Sequence, residues 1–359
     1  MTHPRVGFCC KYLHPDQTQS KRLLEELQRP LTERCTTVAW LNRQTREDAE
    51  QRLWDLMVHN TQACLNLVNY VGELPRELRM VRLGSNQLPM YTEPSWRYFW
   101  QLPSVREYCE KAFARVGDAA RRQSVRLSFH PGQFCVLASD NDNIVERSIE
   151  EFEYHADMAR WMGYGKSFQD FKINVHISGR KGPDGIKAAL PRLSTEARNC
   201  ITIENDECGW GLDASLELAE DLALVVDIHH HWVREGEYID VDDDRIKRVI
   251  DSWRGVRPAC HYSVSREDYL VGHSSTIRPD MASLLEAGYK KQKLRAHSDF
   301  YWNHAVSEWA ATFSEYFDIQ CESKMKNLAS HEFARKYVMK QESTSENPRL
   351  ESDLALCYS

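Results

Sequence analysis

Histidine and carboxylate residues recur in this 359-residue chain at one kind of place, where a short apolar run gives out. His130 closes "SVRLSFH", His176 closes "FKINVH", Glu204 closes "CITIE" and Glu322 closes "FDIQCE". Asp227 stands in "LALVVDIHHH", ahead of His229, His230 and His231, and His261 lies within "PACHYS". Imidazole and carboxylate together suit manganese, zinc or iron, and no cysteine joins these positions as a structural thiolate zinc site would require. Glu204, Asp227 and Glu322 gathered inside a protein would each cost on the order of several kcal/mol unless cations balanced them. Three carboxylates and at least as many histidines exceed the needs of one tetrahedral ion, which predicts a centre of about two or three ions. Taken alone, a strand histidine is more often a hydrogen-bonded core residue, and "ENDE" (204–207) also reads as a helix N-cap cluster. The coincidence over successive runs favours a shared centre. Strand alternation puts His229 on the face of Asp227, whereas a chain turning after Ile228 presents His230, and both stay open at this point.

Such residues converge only if the runs that carry them surround one mouth. Eight short apolar runs begin at Arg5, Arg79, Ser124, Phe171, Cys200, Leu222, Pro258 and Phe317, each bounded by polar or turn residues. Strands buried on both faces look like this. Helical patterns fill the gaps, as where Leu53, Leu56, Met57, Leu67, Val68 and Val71 follow a period near 3.6 residues. Eight alternations predict an α/β fold, a single (β/α)8 barrel with reactive groups at the C-terminal strand ends. A doubly wound open sheet explains the count less well. The barrel domain is expected over 1–340. A long basic connection, 264–296, carries Arg278, Lys290, Lys291, Lys293 and Arg295 ahead of the last helix–strand unit, and 341–359 reads as a polar tail.

The formal net charge of −7 gives no overall nucleic-acid signature, so any such face must be local. With 42% hydrophobic and 28% charged residues, wholesale disorder is excluded. No apolar stretch of about 18 residues and no signal-peptide core are found, which predicts a cytoplasmic (in a eukaryote, nuclear) protein without membrane contact. The 11 cysteines are scattered without a CxxC pair and read as buried thiols in a reducing compartment.

Taken together, "RVGFCCKYL", "RLGS", "FHPGQF", "VHISG", "ENDE", "DIHHHW", "CHYS", "AHSDF" and "IQCESKMKN" resemble the ultraviolet-damage endonucleases, (β/α)8 enzymes related to endonuclease IV and the xylose-isomerase-like barrels. The resemblance runs in order over about residues 5–330. It implies manganese as cofactor, with zinc and magnesium as alternatives, and double-stranded DNA bearing ultraviolet lesions as partner, with no obligate protein partner. The implied reaction is a nick immediately 5′ of cyclobutane dimers and 6-4 photoproducts, and at abasic sites. Carried over motif by motif, the implied metal ligands are His130, His176, Glu204, Asp227, His230, His261, His297 and Glu322. The resemblance selects His230 from the triple histidine. It adds His297, whose 25-residue spacing to Glu322 fits the family pattern better than His273 does. Glu204, Glu322 and Lys324 are the implied catalytic set, with Lys324 either meeting a phosphate or orienting Glu322. Gln133 and Phe134 match a probe that wedges into the duplex while the damaged dinucleotide leaves it. Phe8, Lys11, Tyr12 and Arg82 join them as expected DNA contacts, and Arg180 and Lys181 as phosphate contacts. One departure stands out: where some members carry a metal-bridging modified lysine, two residues before the seventh-strand histidine, this chain has Ala259. The alternatives are a metal-dependent sugar isomerase or epimerase on a related barrel, and a damage-binding protein with reduced catalysis.

Overall fold

The computed structural model describes residues 3–339, so the expected polar tail lies outside the described residues. Eight strands form a closed barrel in sequence order: β1 (Val6–Cys10), β2 (Met80–Leu83), β3 (Arg126–Phe129), β4 (Lys172–His176), β5 (Ile201–Glu204), β6 (Ala223–Asp227), β7 (Ala259–Tyr262) and β8 (Asp318–Cys321). All neighbours pair in parallel, and β1 closes the ring by pairing with β8. Each predicted run contains one of these strands, and the (β/α)8 expectation holds. The sixth run is shorter than its apolar pattern. Its strand stops at Asp227 and Ile228–Glu235 is helical. The cause is a cap: the Asp227 carboxylate accepts hydrogen bonds from the backbone N–H of His229 at 2.8 Å and of His230 at 2.7 Å.

Helices cover the outside. The longest, Arg46–Glu73, starts at Thr45, whose hydroxyl accepts from Asp48 N–H, and buries Leu53, Met57, Leu67, Val68 and Val71. No helix among the described residues is long and apolar enough to cross a membrane. The connection 264–296 contains two short helices, Met281–Glu286 and Lys291–Leu294. Leu270, Met281, Leu284 and Leu294 form a small core of their own with Trp232 and Val233. Its two ends are pinned together by an antiparallel bridge between Ser265 and His297 and by Ser298 N–H donating to Val264 C=O at 2.9 Å. His297 is thereby returned to the chain leaving β7.

At the N-terminal end of the barrel, one fully buried carboxylate gathers three arginines. Asp318 accepts from Arg126 Nη1 at 2.7 Å, Arg257 Nε at 2.9 Å and the Arg5 backbone N–H at 2.9 Å, with Arg5 Nη1 at 3.5 Å. These contacts tie the starts of β1, β3, β7 and β8 together. Removing the carboxylate strands the cations, a change that costs roughly 3–5 kcal/mol when a buried pair is broken. Asp318→Asn is therefore expected to lower the urea midpoint by an amount equivalent to about 3 kcal/mol or more. An unchanged midpoint would show that the carbonyl contacts of these arginines suffice.

Candidate metal centre

Glu204, the last residue of β5, is the hub of the opposite rim. Its carboxylate is fully buried. Oε1 faces His261 Nδ1 at 3.1 Å and His230 Nδ1 at 3.5 Å, and Oε2 faces His130 Nε2 at 3.3 Å. His261 Nδ1 also lies 3.3 Å from Glu322 Oε1, and His230 Nδ1 lies 3.7 Å from Asp227 Oδ2. The His176 ring sits 5.0 Å from that of His130 and 5.4 Å from that of His230. His297 flanks the group, close enough to feel the charges of Glu322 and His230. The structure thus brings seven of the expected ligands into one cluster and puts the eighth beside it. The cap on Asp227 settles the triple histidine: it turns the chain so that His230 enters the cluster, while His231 faces Glu237 at 3.0 Å and His229 lies against Trp232.

The donor atoms are arranged as a cation site requires. Glu204 Oε1, Asp227 Oδ2 and His261 Nδ1 are buried and make no hydrogen bond, and His176 Nδ1, also without one, faces Asp206 Oδ2 at 3.5 Å. A buried polar atom left unpaired costs about 1–3 kcal/mol, so convergence of several lone pairs needs a shared partner. Two triads, His130–His176–Glu204 and Glu204–Asp227–His261, each hold their donor atoms within 4.8 Å of one another, with Glu204 common to both. Divalent cations would suit such a donor set. Protonation agrees. Burial pushes His261 down to about 4 and His130 below its ordinary value, so both rings are neutral near pH 7, the form that ligates. In His176 burial is outweighed by Glu204 and Asp206, and the ring is lifted to about 10. Burial drives Asp227 up to about 8. Opposed shifts among touching groups are characteristic of functional centres.

Two residues of the centre were absent from the sequence expectation. Asn174 donates to Glu204 Oε2 and accepts from the Thr202 hydroxyl at 2.7 Å. Lys172, fully enclosed, places Nζ 2.9 Å from His261 Nε2. Both precede His176 on β4 at two-residue steps, so strand alternation puts all three on the inner face. Ala259 leaves β7 without an amine two residues before His261, and the amine that meets His261 comes from β4 instead.

Four of the expected contacts are corrected. Phe8 is completely buried, edge-on to His331 with ring centres 5.9 Å apart, because β1 turns it outward under the helices; it cannot touch DNA. Tyr12 is also buried, its ring 4.9 Å from that of Tyr70. Arg82 points into the barrel and pairs with Glu322, so its charge is committed to a ligand and not to a phosphate. Lys324 pairs with Asp299 at 3.5 Å, which removes the reading in which it orients Glu322. Lys11 and Gln133 are exposed, and Phe134 is 85% exposed, so it does not pack beneath its loop.

Residues 18–347 match the family described as UV-endonuclease UvdE. The chain is similar to the UV-damage endonuclease of Neurospora crassa, with 28% identity over 244 residues, covering 60% of this chain and 36% of that protein. It is also similar to the UV DNA damage endonuclease of Bacillus thuringiensis subsp. konkukian, with 23% identity over 310 residues, covering 83% and 86%. Among solved structures it resembles SacUVDE, with a TM-score of 0.68 at 20% identity over 93% of this chain and 97% of that one, which shows the shared barrel.

Lys172 yields a pH prediction. Burial, against the pull of Glu204, lowers its ammonium from 10.5 to about 7. Between these values the unfolded chain binds the extra proton, so this group makes stability rise with pH across that window. In chelator-containing buffer, Lys172→Met is expected to remove that contribution. Urea melts of both proteins between about pH 7 and 10 check this, and identical slopes would contradict it.

Proposed function

The chain belongs to the UV-endonuclease UvdE family, and on that premise we propose that it is a DNA repair endonuclease that hydrolyses the backbone immediately 5′ of ultraviolet photoproducts and also at abasic sites. Its centre takes two or three divalent ions, manganese first among them. When bound, such ions neutralise charge on the phosphate and on the departing oxygen and make water a better nucleophile. The protein's part is positioning. Glu204, Glu322, His130, His176, Asp227, His230, His261 and His297 would hold the ions, and Asn174 fixes the rotation of the Glu204 carboxylate. Arg82 steadies Glu322 from inside the barrel.

The observation that carries the reading is the position of Phe134. It stands out into solvent four residues along the chain from His130, an imidazole of the candidate cluster, and so offers an apolar wedge. Opening a base step costs on the order of a few kcal/mol and less where a lesion has already weakened stacking, so a wedge selects damage without reading bases. Gln133 accompanies it, and Lys11, Lys324, Arg180 and Lys181 are the phosphate contacts. A sugar isomerase would have no use for such a projection.

Nicking of an irradiated duplex with manganese, against an undamaged duplex, tests the proposal. Cleavage confined to irradiated DNA is expected, and intact irradiated DNA would end the assignment. Glu204→Gln is expected to abolish nicking. Phe134→Ala is expected to reduce it roughly tenfold or more, the equivalent of about 1.4 kcal/mol or more in the lesion-opening step. Its thermal midpoint should stay at the wild-type value, since the side chain packs on little. Equal rates for Phe134→Ala and wild type would remove Phe134 from lesion recognition.

A further inference from the structure

One ring of the cluster, His230, lies outside both triads. The His230 side chain is only 8% exposed, and its Nδ1 lies 3.1 Å from the Asn205 carbonyl oxygen. Nδ1 therefore carries a proton and donates it, and in the neutral, ligating ring the lone pair is on Nε2. Nε2 makes no hydrogen bond among the described residues and faces Glu207, whose Oε2 is 3.6 Å away. We infer that Glu207 is a further ligand of the metal centre, holding with His230 Nε2 an ion at the outer lip of the barrel mouth. This rests on the metal-centre reading given above. It adds a residue outside the eight positions carried over from the family resemblance.

The distances allow it. Two donors, each about 2.1 Å from one ion, can stand at most about 4.2 Å apart, and the observed 3.6 Å lies inside that limit. The carboxylate is also held in place. Asp206 turns the loop back on itself by accepting from Cys208 N–H at 2.7 Å and Gly209 N–H at 2.5 Å. Asn205 locks the same loop to β6, donating to Asp227 C=O at 3.0 Å and accepting from Asp227 N–H at 2.8 Å. The second oxygen of Glu207 is gripped by Arg295 Nη1 at 3.1 Å, from the end of the 264–296 connection. Asp206, Glu207 and Cys208 form a third group with donors within 4.8 Å of one another. Acidic loops of that kind are common without an ion; the buried imidazole aimed at Glu207 is what distinguishes this one.

Arg295 makes the inference testable by sign. If Glu207 is a ligand, the guanidinium competes with the ion for its charge, and removing Arg295 should tighten metal binding while removing the carboxylate weakens it. If Glu207 is only a partner of Arg295, the two substitutions should act alike. The experiment is a titration of the full chain with Mn2+, followed by the electron paramagnetic resonance signal of the free ion, on wild type, Glu207→Gln and Arg295→Ala, each checked for an unchanged circular dichroism melt. Glu207→Gln is expected to weaken one site roughly tenfold or more and leave the others within about twofold. Arg295→Ala is expected to bind that ion at least as tightly as wild type. Wild-type affinity at every site in Glu207→Gln, or equal weakening in both variants, would overturn Glu207 as a ligand and leave the centre standing. A wild-type chain that binds no Mn2+ would instead overturn the centre itself.

Discussion

A carboxylate with no solvent exposure, set among the imidazoles of neighbouring strands, is the constraint from which the rest of the architecture can be understood. Glu204 could not be enclosed at that point without positive charge to balance it, because desolvating an anion costs several kcal/mol even after relaxation, a figure on that order being typical of buried ions. One of its oxygens is satisfied by Asn174 and the other has no hydrogen bond. Barrel closure is what makes such crowding attainable. Parallel pairing in sequence order brings the ends of β3 to β8 to one rim, and a slip of one residue in any strand would swing its ligand to the outer face.

The two ends of the barrel use similar groups to opposite effect. At the closed end both oxygens of Asp318 are met by N–H donors from three arginines, so a buried charge becomes a clamp on four strand starts. At the open end Glu204, Asp227, His176 and His261 keep atoms unpaired. Polar groups satisfied by the protein itself add to its stability, and groups left unsatisfied are available to a ligand. The barrel separates these roles along its axis, as folds of this class do.

Much of this was legible because polar residues punctuate apolar runs. The eight strands and the candidate ligands His130, His176, Glu204 and Glu322 follow from where the runs end, and Asp227 and His261 from polar residues inside them. What escaped was parity. A strand buried on both faces carries apolar residues in and out, so its pattern does not say which face looks inward. Phe8, a DNA contact implied by the family resemblance, could not be checked against its run for that reason. The clue lies in charged residues within strands: Arg82 in "MVRL" and Lys172 in "KINVH" have no place against the helices and must face the polar interior, which also fixes the direction of Asn174. His297 escaped differently. Its position depends on a bridge that closes a long connection, Ser265 to His297, and no local pattern encodes such a closure.

The charge of the chain bears on how damage would be found. An acidic protein gains little from long-range attraction to DNA, and three of the four proposed phosphate contacts are already paired: Arg180 with Asp140 at 3.4 Å, Lys181 with Asp142 at 3.9 Å and Lys324 with Asp299 at 3.5 Å. Exposed pairs of this kind are worth about 0–1 kcal/mol, so phosphates can replace the carboxylates at small cost, but the net gain is correspondingly small and screened by salt. On the proposed function, binding to undamaged duplex would therefore be weak. If Phe134 is the proposed wedge, discrimination would come from the step that differs between intact and damaged DNA, the opening of a base stack against it. A more basic rim would raise affinity for both forms alike and add nothing to the ratio between them, since contacts to the backbone carry no information about the lesion.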